Sequence, residues 1–230
     1  MIRSLFASLI LAVALPVAAA PARPVVLELF TSEGCSSCPP ADAYLSELSQ
    51  TRSDVLPLAF HVTYWNNLGW KDPYSLDIAT QRQADYASRF GDGSYTPELV
   101  VDGAKDLVGS DRGAAEAAIR DAAAKASTAA TVSAVRNGNV INVTVGAGTG
   151  NARVLLVGYD PQHVTPVGRG ENSGRTLKEA NIVRSFQPIG EWSGKASEFS
   201  SAVPAGEQDA VLLQAPDGSI VGAARVGNAS

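Results

Sequence analysis

Val25-Val26-Leu27-Glu28-Leu29-Phe30-Thr31-Ser32-Glu33-Gly34-Cys35-Ser36-Ser37-Cys38-Pro39-Pro40-Ala41-Asp42 is the stretch on which the reading of this 230-residue chain turns. Residues 25–30 form a dense apolar run, as a strand buried on both faces requires, and Thr-Ser-Glu-Gly after it reads as a turn. From Ser36 the periodicity changes. Ala41, Tyr44, Leu45 and Leu48 fall at i, i+3, i+4 and i+7, one stripe of a helix. Pro39 and Pro40 fit a first helical turn, whose N–H groups have no helical acceptor. The pattern Cys35-x-x-Cys38 therefore stands at a strand-to-helix junction. Unpaired N–H groups and the positive end of the helix dipole favour a thiolate at the first cysteine. Thiolate is the attacking species in disulfide exchange, so this placement activates Cys35. Cys38, one turn further in, is placed to resolve a mixed disulfide.

Working outward, Val55 to Val62 reads as a second strand. Leu76, Ala79, Tyr86 and Phe90 form the stripe of a helix that stops at Gly91. Leu99–Val101 and Lys105–Val108 flank Asp102-Gly103, a favoured hairpin pair. Asp111 can cap an Ala-rich helix bearing Ala115, Ile119 and Ala122. The predicted order across residues 24–127 is β-α-β-α-β-β-α. Residues 131–230 lack helical periodicity. Thr131–Arg136 and Val140–Val145 flank Asn137-Gly138, and Arg153–Tyr159, Asn181–Pro188, Ala210–Leu213 and Ser219–Val226 are further strands. Short strands at this spacing predict an antiparallel, sandwich-like β domain. The boundary falls in the Ala- and Ser-rich stretch near residues 125–131.

The N-terminus reads as a secretory leader over residues 1–19: Arg3, an apolar run from Leu5 to Val17, then small residues around a cut after Ala19. The apolar run of about a dozen residues falls short of the roughly 20 that a bilayer span needs. Loss of Arg3 leaves 17 Lys+Arg against 23 Asp+Glu, a formal charge of −6. No basic cluster appears, which removes the electrostatic basis for nucleic-acid binding. The expectation is a periplasmic or secreted protein without stable membrane insertion, in a compartment where disulfides persist.

Other uses of the two cysteines compete with exchange. As a structural bridge, so small a loop contributes only about 2 kcal/mol in the chain-entropy account. A closed zinc site needs four ligands, and the two histidines, His61 and His163, lie about a hundred residues apart. Copper(I) accepts fewer thiolates, which keeps a copper carrier as an alternative. The redox reading requires no dissociable cofactor and no metal; the disulfide itself is the reactive group, and its substrate is a protein or small thiol or disulfide.

A second motif, Tyr95-Thr96-Pro97-Glu98-Leu99-Val100-Val101-Asp102-Gly103, precedes the hairpin. With it, residues 24–127 resemble the thioredoxin-like superfamily. The resemblance implies that Pro97 is a cis-proline packed opposite the cysteines and that Thr96 offers backbone hydrogen bonds to an incoming chain. An ordinary turn proline is the alternative. Departures are visible: Gly34 replaces the usual Trp, and Ser36-Ser37 replaces Gly-Pro. The buried acid that many members carry six residues before the nucleophile is here Leu29, with Glu28 seven before. A one-residue bulge would bring Glu28 under the disulfide to relay the Cys38 proton; without one it faces the other way. The wider wording from Glu28 to Asp42, with Phe60-His61-Val62-Thr63-Tyr64-Trp65 and Gly69-Trp70-Lys71-Asp72-Pro73, resembles an exported bacterial family described only as a domain of unknown function. That family joins a thioredoxin-like domain to a C-terminal β domain. It implies a fold and a location, and no reaction.

Three further features complete the reading. The aromatic segment from Tyr64 to Tyr74 follows the second strand, and Trp65 and Trp70 either contact substrate or cover neighbouring elements. His61 reads as a core histidine hydrogen-bonded to a neighbour. Arg169-Gly170-Glu171-Asn172-Ser173-Gly174-Arg175 reads as a long sandwich loop with internal ion pairs, the alternative being a loop laid over the cysteine edge. The chain is thus expected to be an exported thiol-disulfide oxidoreductase, the alternatives being a copper(I) carrier or a non-catalytic interaction protein.

Overall fold

The computed structural model describes residues 23–125 and 130–229. The leader expected at residues 1–19 lies outside them, as do residues 126–129 of the expected boundary. The opening apolar run is strand β1 (Val25–Thr31), buried along its whole length. It is followed by α1 (Pro39–Thr51), β2 (Val55–His61), α2 (Asp77–Phe90), β3 (Glu98–Val101), β4 (Lys105–Val108) and α3 (Arg112–Lys125). β2 runs parallel to β1 from Val25↔Val55 to Thr31↔His61, and β3 runs antiparallel on its other side. The hairpin from β3 to β4 turns on Asp102 and Gly103 at φ 47° and 61°, the positive pair that matches strand twist. A Cβ on Gly103 would lie 2.3 Å from the Gly218 carbonyl oxygen, so only glycine fits. Gly91 ends α2 at φ 80°. Asp111 Oδ1 accepts the Ala114 N–H at 3.0 Å, capping α3.

Alternation along β1 divides the interior. Val25, Leu27 and Leu29 pack with Ala41, Tyr44 and Leu45 of α1 and with Ala115 and Ile119 of α3. Val26 and Phe30 face the other way, toward Ala79 and Tyr86 of α2. With both faces covered, β1 and β2 are apolar almost throughout, as central parallel strands must be.

Among the described residues, every element after α3 is a strand: β5 (Val132–Asn137), β6 (Val140–Val145), β7 (Ala152–Pro166), β8 (Thr176–Trp192), β9 (Ser197–Ala202), β10 (Gln208–Gln214), β11 (Ile220–Arg225) and β12 (Gly227–Asn228). They do not form a separate block. β8 pairs in parallel with β2, so one eight-stranded sheet runs β11-β10-β7-β8-β2-β1-β3-β4 through both halves. β12-β5-β6-β9 form a second sheet. It stacks through Ile141, Val143 and Val145 on Val154, Leu156, Trp192 and Val211 of the extended region. A sandwich is present, but one of its layers continues the sheet of the first half. The change of composition near residue 130 marks where helices stop and not where hydrogen bonding stops. Pairing with β8 covers an edge of β2 that would otherwise expose unpaired backbone groups. The long β7–β8 hairpin carries two register shifts, which let strands of this length bend. No helix among the described residues is long and apolar enough to cross a membrane.

Candidate functional site

Cys35 and Cys38 form a disulfide with their Cα atoms 5.5 Å apart. The turn that presents them is closed by the Cys35 N–H on the Ser32 carbonyl (3.0 Å) and the Cys38 N–H on the Cys35 carbonyl (3.3 Å). Cys38 is the N-cap residue of α1, and its carbonyl accepts from the N–H groups of Ala41 and Asp42 at 2.9 and 3.1 Å.

Two hydroxyls reach the first sulfur. Thr96 Oγ1 donates to Cys35 Sγ at 3.3 Å, and Ser37 Oγ lies 3.4 Å from the same atom. Thr96 Oγ1 also accepts the Trp65 Nε1–H at 2.9 Å, fixing the indole beside it. The Thr96–Pro97 peptide is cis, and Pro97 is buried. A Cβ added to Gly109 would lie 2.7 Å from Leu29, 3.2 Å from Ala41 and 3.4 Å from Pro97, so these three converge where glycine leaves room.

The loop between β7 and β8 closes the site. Asn172, fully buried, donates through Nδ2 to the carbonyls of Glu33 and Cys35, both at 2.9 Å. Glu171 Oε2 accepts the Ser36 N–H at 3.2 Å, and its hydrogen bonds with Ser36 hold the Glu171 carboxyl below the usual range. Trp70 donates from Nε1 to Glu33 Oε2 at 2.7 Å and lies against Gly170 of the same loop. The expected run of internal ion pairs gives way to this arrangement, in which the loop lies over the cysteine edge. Both cysteines are 0% exposed, while Ser36 and Ser37 between them face solvent.

Beneath the turn lies a buried ionisable cluster drawn from β1, α1, β2, the Trp65–Tyr74 segment and β8. Thr31 Oγ1 donates to Asp42 Oδ1 at 2.7 Å. His61 Nδ1 and Asp72 Oδ2 are 2.7 Å apart, and Asp72 also accepts the N–H groups of Glu33 and Tyr74 at 2.8 and 2.9 Å. Glu179 Oε1 lies 3.8 Å from His61 Nε2. Burial alone would strip His61 of its proton, but the charges of Asp72 and Glu179 outweigh it and lift the imidazole to about 10. Burial pulls Asp72 upward, yet the His61 charge and the hydrogen bonds together outweigh it, so this carboxyl stays below the usual range. Burial dominates for Asp42 and Glu179, pushing them up to about 7 and about 8, and it raises Glu33 as well.

Glu28 requires a correction. β1 carries no bulge, and its register with β2 and β3 is unbroken, so Glu28 points to the α2 face. There it pairs with Arg82 Nε and accepts from Arg82 Nη2 at 2.9 Å and Tyr86 Oη at 2.7 Å. Leu29 holds the place on the α1 side. Trp65 stands beside Thr96, and Trp70 pins Glu33 to the covering loop, so each indole N–H serves a contact within the chain. Sequence reasoning gives no role to Asp42, Asp72, Asn172 or Glu179. Asp42 carries a weak signal: a charge at the margin of the apolar stripe of α1, beside Leu45 and four residues after Cys38. Among the described residues no group of three or more His, Cys, Asp and Glu is placed to hold a metal ion.

This arrangement defines an α/β protein with a covered cysteine pair at a helix start. The chain belongs to the family described as "Protein of unknown function (DUF1223)", which matches residues 26–214. A crystal structure of protein AGR_C_4864 from Agrobacterium tumefaciens is similar at 32% identity and a TM-score of 0.78, covering 92% of this chain and 98% of that one. HBP35 of Porphyromonas gingivalis is similar in fold, with a TM-score of 0.59 and 14% identity over 88% of this chain and 74% of that one. No curated protein matches the chain.

Proposed function

We propose that the chain is an exported thiol-disulfide exchange protein of thioredoxin-like architecture, with Cys35 the exchanging sulfur and Cys38 the resolving one. In this reading residues 24–127 supply the thioredoxin-like unit, and residues 131–230 form a β unit that buttresses and covers it. The leader sends the chain to the periplasm or outside the cell, where its substrates are protein or small thiols and disulfides and no dissociable cofactor takes part.

The observation that carries the proposal is the asymmetry at the two sulfurs. Thr96, far along the chain, and Ser37 both bring hydroxyls to Cys35 Sγ. Hydroxyl donors and the start of α1 stabilise a thiolate at that atom, which is what exchange requires. Because Cys35 is sealed under the β7–β8 loop, exchange requires that loop to give way; a substrate thiolate then attacks Cys35 Sγ, a mixed disulfide forms, and the electron pair of the broken bond goes to Cys38 sulfur. A second substrate thiolate then releases Cys35, and the substrate leaves oxidised by two electrons. The reverse sequence reduces a substrate disulfide, and the relative stability of the two protein forms sets the direction.

The complete burial of both sulfurs favours a second reading, in which the bridge is a structural clasp under the β7–β8 loop. Cys35→Ser and Cys38→Ser separate the two. Under exchange, Cys38→Ser traps a peptide carrying a cysteine pair as a mixed disulfide through Cys35, and Cys35→Ser loses the reaction. A clasp predicts lower stability in both variants and no exchange with glutathione or the peptide by the wild type.

A further inference from the structure

Attack on Cys35 leaves a charged sulfur at Cys38, and Cys38 is 0% exposed. An ionised group left dry and unpaired costs several kcal/mol, so the proton that neutralises it has to come from within the protein. Glu28 is on the far face, and Leu29 is apolar. Asp42 is the buried carboxyl one helical turn from Cys38 on α1. It follows Cys38 by four residues on α1, its N–H bonds the Cys38 carbonyl, and i and i+4 share one helix face. The carboxyl is buried and held by the Thr31 hydroxyl. The charges of His61 from β2, Asp72 from the aromatic segment and Glu33 from the turn act on it, and it acts in turn on Glu179 from β8. Among the described residues, both oxygens of Glu179 and Nε2 of His61 are buried without a hydrogen-bond partner; the Glu179 oxygens are acceptors able to take a proton, and Nε2–H of the charged imidazole is a donor 3.8 Å from Glu179 Oε1.

We propose that Asp42 carries the proton for Cys38, with Glu179 and His61 setting its readiness, so that the C-terminal half is part of the redox centre. The assignment rests on the exchange reading above. As an incoming thiolate bonds to Cys35 Sγ and the Cys35–Cys38 bond breaks, the electron pair goes to Cys38 Sγ. The Asp42 proton follows it, leaving a carboxylate balanced by His61. In the reverse step Cys38 attacks the mixed disulfide while its proton returns to Asp42. Burial lifts Asp42 to about 7 against the opposing effects of Thr31 and His61, which keeps the carboxyl able to give and take a proton near neutrality.

The test is reduction of the full chain by dithiothreitol from pH 5 to 9, each rate divided by the thiolate concentration. The wild-type value should fall about tenfold or more as pH rises through the Asp42 range. Asp42→Asn should show the low value already at pH 6 and a flat profile. Glu179→Gln should move the midpoint while keeping the fall. A folded Asp42→Asn chain with the wild-type profile, a wild-type profile without the fall, or a midpoint unmoved in Glu179→Gln would each overturn the assignment; the last decides if Asp42→Asn fails to fold. Turnover of a scrambled protein disulfide is measured alongside. Its absence with the Asp42-dependent profile intact removes the exchange function and leaves the proton assignment standing.

Discussion

Raising the pH from 6 to 8 should destabilise the folded chain, opposite to what an ordinary acidic protein with ionised surface carboxylates would suggest. In the folded state His61 keeps its proton to about pH 10, whereas an unfolded histidine loses it near 6.5. Its contribution is complete below 6.5 and is lost as pH climbs toward 10. Asp42 and Glu179 hold protons to about 7 and about 8, whereas unfolded carboxyls ionise near 4. For these raised acids the folded state is penalised increasingly as pH rises above 4. Asp72, held low, is ionised in both states across this window and contributes nothing to the slope. His61, Asp42 and Glu179, with Glu33 and with Glu98, which burial lifts to about 7, all give the folded chain more bound protons than the unfolded one, and stability falls with pH. The groups around His61 share one cluster and cannot titrate independently, so we take one proton as the net excess. At about 1.4 kcal/mol per pH unit, the loss from pH 6 to 8 is about 3 kcal/mol. For a chain of this size that lowers the melting temperature by roughly 6–12 °C. Circular-dichroism melts of the oxidised protein at constant ionic strength measure it, and Glu179→Gln should reduce the slope. A melting temperature that holds or rises between pH 6 and 8 would refute the account of the cluster.

Three further outcomes are expected. Glu28→Gln leaves the buried Arg82 guanidinium facing a neutral amide and should cost about 3–5 kcal/mol of stability. Exchange by the folded fraction should be unchanged, which separates it from a role at the cysteines. Asn172→Ala strips the Glu33 and Cys35 carbonyls of their shared donor, costing about 2 kcal/mol. It should also speed reduction of the disulfide by dithiothreitol; an unchanged rate would show that the loop does not seal the sulfurs. Thr96→Val removes the hydroxyl on Cys35 Sγ, worth about 1 kcal/mol. Alkylation of Cys35 in a Cys38→Ser background should then shift to higher pH, with a change in Trp65 emission as its indole N–H loses its acceptor.

Local rules carried much of the architecture. The run from Val25 to Phe30, the stripe Ala41-Tyr44-Leu45-Leu48 and the Asp102-Gly103 pair each state their structure through burial periodicity or allowed φ, which act within a few residues. The same rules put Cys35 and Cys38 at a helix start, whereas the thioredoxin-like resemblance singles out Thr96 and Pro97. Local rules could not tell which face of β1 receives Glu28, because strand register follows from pairing with β2 and β3. Nor could they connect Ala59 with Ile182, Asn172 with Cys35, or Glu179 with His61, since nothing in either partner of these pairs specifies the other. Those contacts arise only when β8 completes the edge of β2 and carries its preceding loop over the cysteines. Sequence alone determined the elements of the first half and the placement of the cysteine pair; β9, β12 and the full lengths of β7 and β8 came only with the assembled sheets, and packing decided that the pair is dry, which carboxyls lie beneath it and what covers it, because burial and charge pairing are properties of the assembled chain.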